Sequence, residues 1–191
     1  MMTTSPHGAI ARLGPVMQMA FVPRDFDAAV RFWTETIGAG PFYHIEHLPL
    51  EDVRYRGKPA DIDQSVALGF WGDMQIELIV QHNDEPSAYR EWLDSGREDL
   101  HHVCVAVNDM AAARAVLAGA GGVPVHEARM AGAAEAAYFE IPGPGPIIEV
   151  ARLDPKFSRL FSCMRASARD WDGRDPLRPV PPEEEWGRVA E

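Results

Sequence analysis

The sequence predicts an α+β protein in which two tandem βαβββ modules form a half-open β-barrel around a central site, followed by a C-terminal helix and tail. Three observations carry this prediction: an internal repeat, strand and helix patterns in the same order within each half, and acidic residues inside apolar strands. With 191 residues and 46% hydrophobic content, the chain can bury one core without disulfides.

The first module begins with a strand pattern at residues 16–22. Asp25 is placed to cap the helix that follows, and Gly38 and Gly40 are placed to end it. The predicted buried face of this helix carries Phe26, Ala29, Val30 and Trp33. Three further strands are predicted at residues 42–50, 64–71 and 74–81, with a tight turn between the last two.

The second module follows a helical linker around residues 87–95 and repeats the same order. The run LHHVCVAV predicts a strand, and Asn108 or Asp109 caps the next helix. The predicted strands that complete this module lie at residues 123–129, 135–141 and 146–152. Laying MQMAFVPRDFDAAVRFW over HHVCVAVNDMAAARAVL places Gln18 opposite His102 without a gap. This internal repeat is the strongest indication of the fold.

The segments outside the repeat are shorter and simpler. The run DPKFSRLFSCMRASARDW predicts a helix with one apolar face, formed by Phe157, Leu160, Phe161 and Met164. The proline-rich, acidic tail from Asp170 onward is expected to lie over the surface or to be disordered. The boundaries predicted from these patterns are an extension at 1–13, a domain at 14–153 with modules at about 14–82 and 99–153, and a helix and tail at 154–191.

Two acidic residues lie inside apolar strands, Glu77 in QIELIV and Glu149 in PIIEVA. An ionised carboxylate within an apolar strand costs free energy unless it is exposed to solvent, paired with a positive charge or bound to a metal. If each module forms half of a barrel, its first and last strands can each bring one residue to a shared centre. The sequence therefore predicts a divalent-cation site of Gln18, Glu77, His102 and Glu149, in which two carboxylates balance the charge of the ion.

Alternative interpretations of these residues remain open at this stage. Taken without the repeat, Gln18 is more simply a hydrogen-bonded interior amide, whereas the repeat register favours a metal ligand. The acids can pair with an arginine, although the nearby Arg152 faces the other side. His101 is adjacent to His102, so we expect it to face the opposite side and to be structural. Cys104 is expected to pack as a small hydrophobic residue without a catalytic role.

A second group of polar side chains follows the first helix, in PFYHIEH. His44 and Glu46 share one face by alternation and are the leading candidates for a general base outside the metal site. A solvated strand edge explains them equally well. Tyr138 and Trp71 are expected to line either the pocket or the core.

Composition excludes several classes of function. The formal net charge of −11 disfavours binding to nucleic acid, whose phosphates an acidic surface repels. No apolar run is long enough for a membrane span, and the N-terminus lacks the apolar core of a signal peptide. The two cysteines form neither a disulfide framework nor a metal motif, so we expect a cytoplasmic protein.

The repeated module, the opening QMAFVPRDFDAAVRFWTETIGAGPF, the IELI and LHHVCVAV strands and the final PIIEV together resemble the vicinal oxygen chelate superfamily of glyoxalases, bleomycin-resistance proteins and extradiol dioxygenases. The resemblance covers roughly residues 14–153 and is closest to the glyoxalase and methylmalonyl-CoA epimerase branch. In that branch the first and last strands of each module carry the metal ligands, which here are Gln18, Glu77, His102 and Glu149. The chain departs from the pattern at Gln18, where those enzymes usually have histidine.

The resemblance implies one divalent metal ion, either magnesium, manganese, cobalt, nickel, zinc or iron. It implies an isomerase, epimerase or lyase that stabilises an enolate of a small substrate with vicinal oxygens. Glu77 or Glu149 would move the proton if it can leave the metal, and otherwise Glu46 or His44. An acyl-CoA or an oxo acid is the candidate substrate, and a homodimer the candidate assembly. The alternatives are an extradiol-type dioxygenase and a non-catalytic small-molecule binding protein.

Overall fold

The structure, a computed structural model, describes residues 8–130 and 134–186. The strands are β1 (Val16–Phe21), β2 (Phe42–Ile45), β3 (Leu50–Tyr55), β4 (Lys58–Pro59), β5 (Gln64–Trp71), β6 (Met74–Gln81), β7 (Leu100–Ala106), β8 (Val123–Met130), β9 (Ala134–Glu140), β10 (Ile147–Leu153) and β11 (Leu177–Pro179). The helices are α1 (Phe26–Arg31), which continues as a π-helical segment (Phe32–Ile37), α2 (Ala88–Asp94), α3 (Met110–Gly119) and α4 (Pro155–Arg169). Two short 3-10 helices span Ile10–Arg12 and Glu183–Glu185.

The strands form one mixed sheet in the order β11-β2-β5-β6-β1-β7-β10-β9-β8-β3-β4. The two modules meet where β1 pairs antiparallel with β7. Within each module the last strand lies parallel to the first, β6 beside β1 and β10 beside β7. The predicted α+β class is confirmed. The strand-helix-three-strand order recurs in both modules, with two additional strands, β3 and β4, inserted in the first.

The connection between β2 and β3 requires the sheet to curl. These strands are eight positions apart in the sheet, a distance of roughly 38 Å if the sheet were flat. Only residues 46–49 join them, and such a link spans at most about 18 Å. The sheet must therefore bend until its two ends approach each other, as a half-open barrel requires.

The single strand predicted at residues 42–50 is wrong. The strand β2 ends at Ile45, His47 takes a left-handed backbone conformation with φ of 47°, and β3 starts at Leu50 and pairs with β8 of the second module. The β3–β4 hairpin was not predicted, because β3 is largely exposed and its residues lack a regular apolar alternation. The strand β8, with which β3 pairs, lies about 75 residues further along the chain, beyond the reach of local sequence patterns.

The predicted helix ends are confirmed. Asp25 accepts a hydrogen bond of 2.8 Å from the backbone N–H of Ala28, and Asp109 accepts one of 2.9 Å from that of Ala112. Gly38 ends the first helix with φ of 79°, a conformation that glycine adopts without strain. In the described part of the chain, every helix is too short or too polar to cross a lipid bilayer.

The C-terminal segment completes the inner side of the first module. Leu160 and Met164 of α4 are buried in the cluster that contains Val66 and Leu68 of β5, while α1 packs on the other face of the sheet. The tail was expected to lie over the surface or to be disordered. The described part of the tail is largely exposed on the surface, and its residues 177–179 form β11, which pairs with β2 and extends the sheet.

Candidate metal centre and cavity

The predicted site lies where the two modules meet. On the four adjacent strands β6, β1, β7 and β10, Glu77 and His102 both pair with Ala20, from opposite sides. Residues paired across neighbouring strands face the same side of a sheet. Glu77 and His102 therefore project from one face, on either side of an alanine that leaves the space between them open.

Glu149 joins the same cluster through His102. The Nε2 atom of His102 lies 3.1 Å from Oε2 of Glu149 and 3.5 Å from Oε2 of Glu77. The shorter contact is close enough for charge attraction. Among the described residues, however, neither of its two atoms has a hydrogen-bond partner, so the contact does not count as a hydrogen bond. The alternative pairing with Arg152 does not occur, since that arginine lies 3.2 Å from Glu135.

These unpartnered atoms fit a cation. His102 is fully buried, and the side chains of Glu77 and Glu149 are only 13% and 8% exposed. Each of the two largely buried carboxylates lies within 3.5 Å of the same imidazole nitrogen, and neither has an arginine or lysine partner among the ion pairs of residues 8–130 and 134–186. Nitrogen and carboxylate oxygen atoms are suitable ligands for zinc, nickel, cobalt, iron or manganese.

Gln18 lies in the wall of the same site and takes part in a hydrogen bond. Its Nε2 donates to Oε1 of Gln75 over 2.8 Å, because the two residues pair in register on β1 and β6. The amide nitrogen is thus occupied, while the amide oxygen takes no part in this bond. Gln18 is therefore a hydrogen-bonded interior amide, and its amide oxygen is still available to bind a metal ion.

The alternation of the strand predicts that His101 faces the side of the sheet opposite to His102. The structure differs from this prediction. Phe21 pairs with Leu100 and Ala20 with His102, so His101 is an extra residue in a β-bulge. Its Nδ1 lies 2.8 Å from Nδ1 of His102, and its Nε2 lies 3.3 Å from the carbonyl oxygen of Ala88. The bulge turns the side chain along the sheet and towards its neighbour.

These contacts determine the ring orientation of His102. Burial and the nearby charge of His102 hold the pKa of His101 well below its ordinary value, so the His101 ring is neutral. With its Nε2–H donated to Ala88, Nδ1 of His101 accepts the Nδ1–H of His102. The Nε2 atom of His102 is then directed at the two carboxylates, as in a metal-binding histidine whose other nitrogen is held by a hydrogen bond.

The electrostatics of the cluster favour a positive charge. Burial lowers the pKa of His102, but Glu149 and Glu77 outweigh it and raise this pKa to about 9. Burial also raises the pKa of Glu77, and the neighbouring His102 lowers it in part. A divalent cation that binds here therefore replaces a proton on His102.

Metal binding is accordingly expected to release about one proton per chain at about pH 7. His102 is protonated in both folded and unfolded chains below about pH 6.5, but only in the folded metal-free protein between 6.5 and about 9. The stability of the metal-free protein should fall across this window, and metal affinity should rise by up to about tenfold per pH unit. Calorimetric metal titration in buffers of different ionisation enthalpy measures the proton count. Release that does not change between pH 6.5 and 9 would contradict this assignment.

A cavity of about 120 Å³ opens in front of the cluster. Most of its wall is apolar, formed by side chains from both modules and from α4, among them Ile45, Leu48, Val66, Leu68, Ala136, Leu153, Phe157 and Phe161. Gln18, Glu77 and Glu149 contribute polar atoms to it. The acidic cluster and Arg129 therefore face a chamber whose wall is otherwise mostly apolar.

Two aromatic side chains complete the cavity wall: Tyr138, which was expected to line the pocket or the core, and His126, which sequence reasoning missed. Tyr138 lines it, and its ring packs against His102 with centroids 4.8 Å apart. His126 is buried beside Tyr138, and burial lowers its pKa to about 4, which keeps the ring neutral. Its Nδ1 has no hydrogen-bond partner within residues 8–130 and 134–186. The alternation of His126 with Ala128 in VPVHEARM was the available signal, since a small inward neighbour also marks Gln18 and His102.

The structure does not bring His44 and Glu46 to the cavity. Ile45 lines it, so His44 and Glu46 project from the other side of the chain. The ring of His44 packs against Phe26 of α1 at 5.4 Å, and Glu46 has 74% of its side chain exposed. Trp71 is likewise 54% exposed outside the cavity. Of the four candidate acid-base residues, only Glu77 and Glu149 face the chamber.

Cys104 has an environment that favours the neutral thiol. It pairs with both Gln18 and Glu149 and is buried. Burial, with the added effect of Glu149, holds the pKa of this thiol well above its ordinary value. This is the environment of a packed residue rather than of a nucleophile.

Solved structures share this fold at low sequence identity. A methylmalonyl-CoA epimerase from Mycobacterium tuberculosis is 17% identical, with 83% of this chain and 96% of that chain covered and a TM-score of 0.51. A Streptomyces coelicolor methylmalonyl-CoA epimerase in complex with 2-nitronate-propionyl-CoA is 18% identical, with coverage of 74% and 95% and a TM-score of 0.51. A hypothetical protein from Bacillus halodurans is 15% identical, with coverage of 73% and 94% and a TM-score of 0.52.

The comparison of sequences is consistent with this likeness. No curated protein matches the chain. A family model described as the Glyoxalase/Bleomycin resistance protein/Dioxygenase superfamily matches residues 17–139, more than half of the sequence. That span includes the meeting point of the two modules and three of the four predicted ligands. The chain therefore belongs to the glyoxalase/bleomycin-resistance/dioxygenase superfamily, also called the vicinal oxygen chelate superfamily.

Proposed function

We propose that this protein is a divalent-metal-dependent isomerase, epimerase or lyase that deprotonates a carbon next to a carbonyl group in a small substrate. One observation carries the proposal: Glu77 and Glu149 line a mostly apolar cavity and lie within 3.5 Å of the buried His102, and within the described residues one atom each of His102 and Glu149 lacks a hydrogen-bond partner. A purely structural cluster in such a position would be expected to satisfy these atoms within the protein.

The proposed ligands are Glu77, His102, Glu149 and the amide oxygen of Gln18. When bound, the cation would supply positive charge that stabilises negative charge developing on substrate oxygens. The protein itself holds His102 in place through His101 and keeps the two carboxylates in an environment of low polarity. Electrostatic interactions are stronger in such an environment than in water.

Glu77 and Glu149 are the proposed groups that move the proton. Both reach the cavity, and burial raises the pKa of Glu77, which makes its carboxylate a stronger base than one in water. Having acids on two sides of His102 would let one remove a proton and the other return it. This division of roles would suit epimerisation, in which the proton leaves one face of a carbon and returns to the other.

The cavity dimensions favour a small reacting group. A volume of about 120 Å³ corresponds to roughly four water molecules at about 30 Å³ each. This room suits an oxo acid, or the acyl end of a thioester whose larger part remains outside. The epimerases of similar fold include one in complex with methylmalonyl-CoA, which makes acyl-CoA compounds the first substrates to test.

The test is exchange of the substrate C–H for deuterium. The metal-loaded protein in heavy water is offered methylmalonyl-CoA, propionyl-CoA and small 2-oxo acids, and exchange is followed by NMR. We expect exchange that depends on added metal and falls at least about a hundredfold in Glu77→Gln or Glu149→Gln. Glu140→Gln, an exposed acid on the neighbouring strand β9, is the matched control and should retain the full rate.

The alternatives give different results in the same assay. Oxygen consumption with a catechol and ferrous iron would indicate a dioxygenase, for which a second histidine must join His102. Ligand binding without exchange, and without a metal requirement, would indicate a binding protein. The homodimer and the cytoplasmic location remain predictions that this assay does not address.

Gln18 is expected to tune metal preference. A neutral amide oxygen is a weaker ligand than imidazole for zinc, so Gln18→His should raise the affinity for zinc or nickel by roughly one to two orders of magnitude. Gln18→Ala should lower metal affinity and leave Gln75 without its hydrogen-bond donor. Metal titration combined with thermal melts separates the two roles. A loss of thermal stability with unchanged metal affinity in both variants would assign Gln18 to the hydrogen-bond network alone.

A further inference from the structure

We propose that His47, Asp63 and His82 form a second metal site, separate from the central cluster, for a divalent transition-metal cation such as Zn²⁺. Their ligand atoms all lie within 4.8 Å of one another. Two imidazoles and one carboxylate are a ligand set that zinc, nickel and copper prefer, whereas magnesium and calcium prefer oxygen alone.

The three residues come from three separate connections at one end of the barrel. His47 lies between β2 and β3, Asp63 directly precedes β5, and His82 directly follows β6. Nδ1 of His47 is 2.7 Å from Oδ1 of Asp63, and the rings of His47 and His82 have centroids 4.7 Å apart. Ligand atoms of a tetrahedral zinc ion are roughly 3.3 Å apart, so a small outward adjustment would admit the ion.

Backbone hydrogen bonds hold the three connections together. The N–H of His82 donates to the carbonyl of Asp63 over 2.8 Å, and the N–H of Leu48 donates to the carbonyl of Gln64 over 2.8 Å. The N–H of His47 donates to the hydroxyl of Ser65 over 3.0 Å. A site whose ligands are fixed in this way loses less entropy when an ion binds.

Ser65 also orients the second histidine. Its Oγ lies 2.6 Å from Nε2 of His82. When this nitrogen donates its hydrogen to Ser65, the unprotonated Nδ1 of His82 becomes the ligand atom, with the other ring nitrogen held as metal-binding histidines require. The side chain of His47 is 66% exposed, so the proposed site has access to solvent and room for water ligands.

The position of the site suggests what binding would do. His47 belongs to the short link at residues 46–49 that joins the two ends of the curled sheet, and it has a left-handed backbone with φ of 47°. Leu48 and Gln64, the chain neighbours of His47 and Asp63, line the cavity. An ion at this site would tie the link to β5 and β6 and so fix that part of the cavity wall.

The experiment is a titration of the metal-free, full-length protein with zinc, with stoichiometry and affinity measured by calorimetry. The hydrogen bond with Asp63 raises the pKa of His47, so a proton competes with the metal and the titration is carried out at about pH 8. We expect two equivalents in the native protein. His82→Ala and Asp63→Asn should each weaken one of them by at least about tenfold and leave the other unchanged.

Two further variants keep the interpretation clear. His47→Asn removes a ligand but preserves the left-handed backbone, which asparagine tolerates, and should weaken the same equivalent. Asp61→Asn, an exposed acid two residues from Asp63, is the matched control and should leave both equivalents intact. Thermal melts show whether each variant is folded.

The central and peripheral sites are tested independently. If the central site fails to bind metal, the native protein takes up one equivalent that His82→Ala weakens and His102→Ala does not. If the peripheral proposal is wrong, His82→Ala, Asp63→Asn and His47→Asn all retain the stoichiometry and affinity of the native protein.

Discussion

Replacing Glu149 with alanine is expected to lower the affinity for the central metal ion by at least about a hundredfold. Loss of a residue that only supports a ligand typically costs ten- to a hundredfold, and Glu149 would contribute one of the two charges that balance a divalent cation. His102→Ala should have an effect of the same order, because it removes the one nitrogen that contacts both acids. Elemental analysis after dialysis, followed by metal titration, measures both.

The control for this prediction is Glu140→Ala. Glu140 lies on β9 next to the site strands, but its side chain is exposed and pairs with Arg56 at 3.1 Å. The Glu140→Ala variant should bind as much metal as the native protein. Because the native protein is proposed to bind metal at two sites, each variant is analysed in a His82→Ala background. Full metal content of Glu149→Ala and His102→Ala in that background would refute the central ligand set.

Replacing Leu160 with alanine is expected to reduce the free energy of unfolding by about 2–5 kcal/mol, and Met164→Ala by a similar amount. Both residues are almost fully buried, with 3% and 1% exposure, in the core on the inner side of the first module. A truncated side chain there loses its transfer free energy and leaves a cavity that the surrounding strands fill only in part. Urea denaturation measures the change.

Arg159→Ala is the matched control on the same helix. Its side chain is 55% exposed and lies 3.9 Å from Glu183, so the free energy of unfolding should change by about 0.5 kcal/mol or less. Equal stability of the native protein, Leu160→Ala and Met164→Ala would mean that α4 does not pack on the sheet in solution.

The helix α4 also connects stability with the proposed activity. Phe157 and Phe161, on the same helix as Leu160, line the cavity. A loosened helix should therefore change substrate affinity while metal affinity stays constant, because none of the proposed ligands belongs to α4. This separation distinguishes damage to the chamber from damage to the metal centre.

Local patterns in the sequence determined most of the strands and helices and the relation between the modules. The alternation of apolar residues marked β1, β5, β6 and β7, and the capping residues Asp25 and Asp109 marked the helix starts. The gap-free repeat placed Gln18 and His102 at equivalent positions. Acids in apolar strands singled out Glu77 and Glu149, and all four residues lie where the modules meet.

Long-range pairing and local irregularities were decided by the tertiary structure. The bulge at His101 brings two consecutive histidines into contact, although regular alternation separates them. The break after Ile45 sends β3 to the second module and excludes His44 and Glu46 from the cavity. His126 and Gln75 became part of the site through strand register. Periodicity reports which face of an element is buried, but register and bulges follow from packing between segments far apart in sequence, which no local pattern contains.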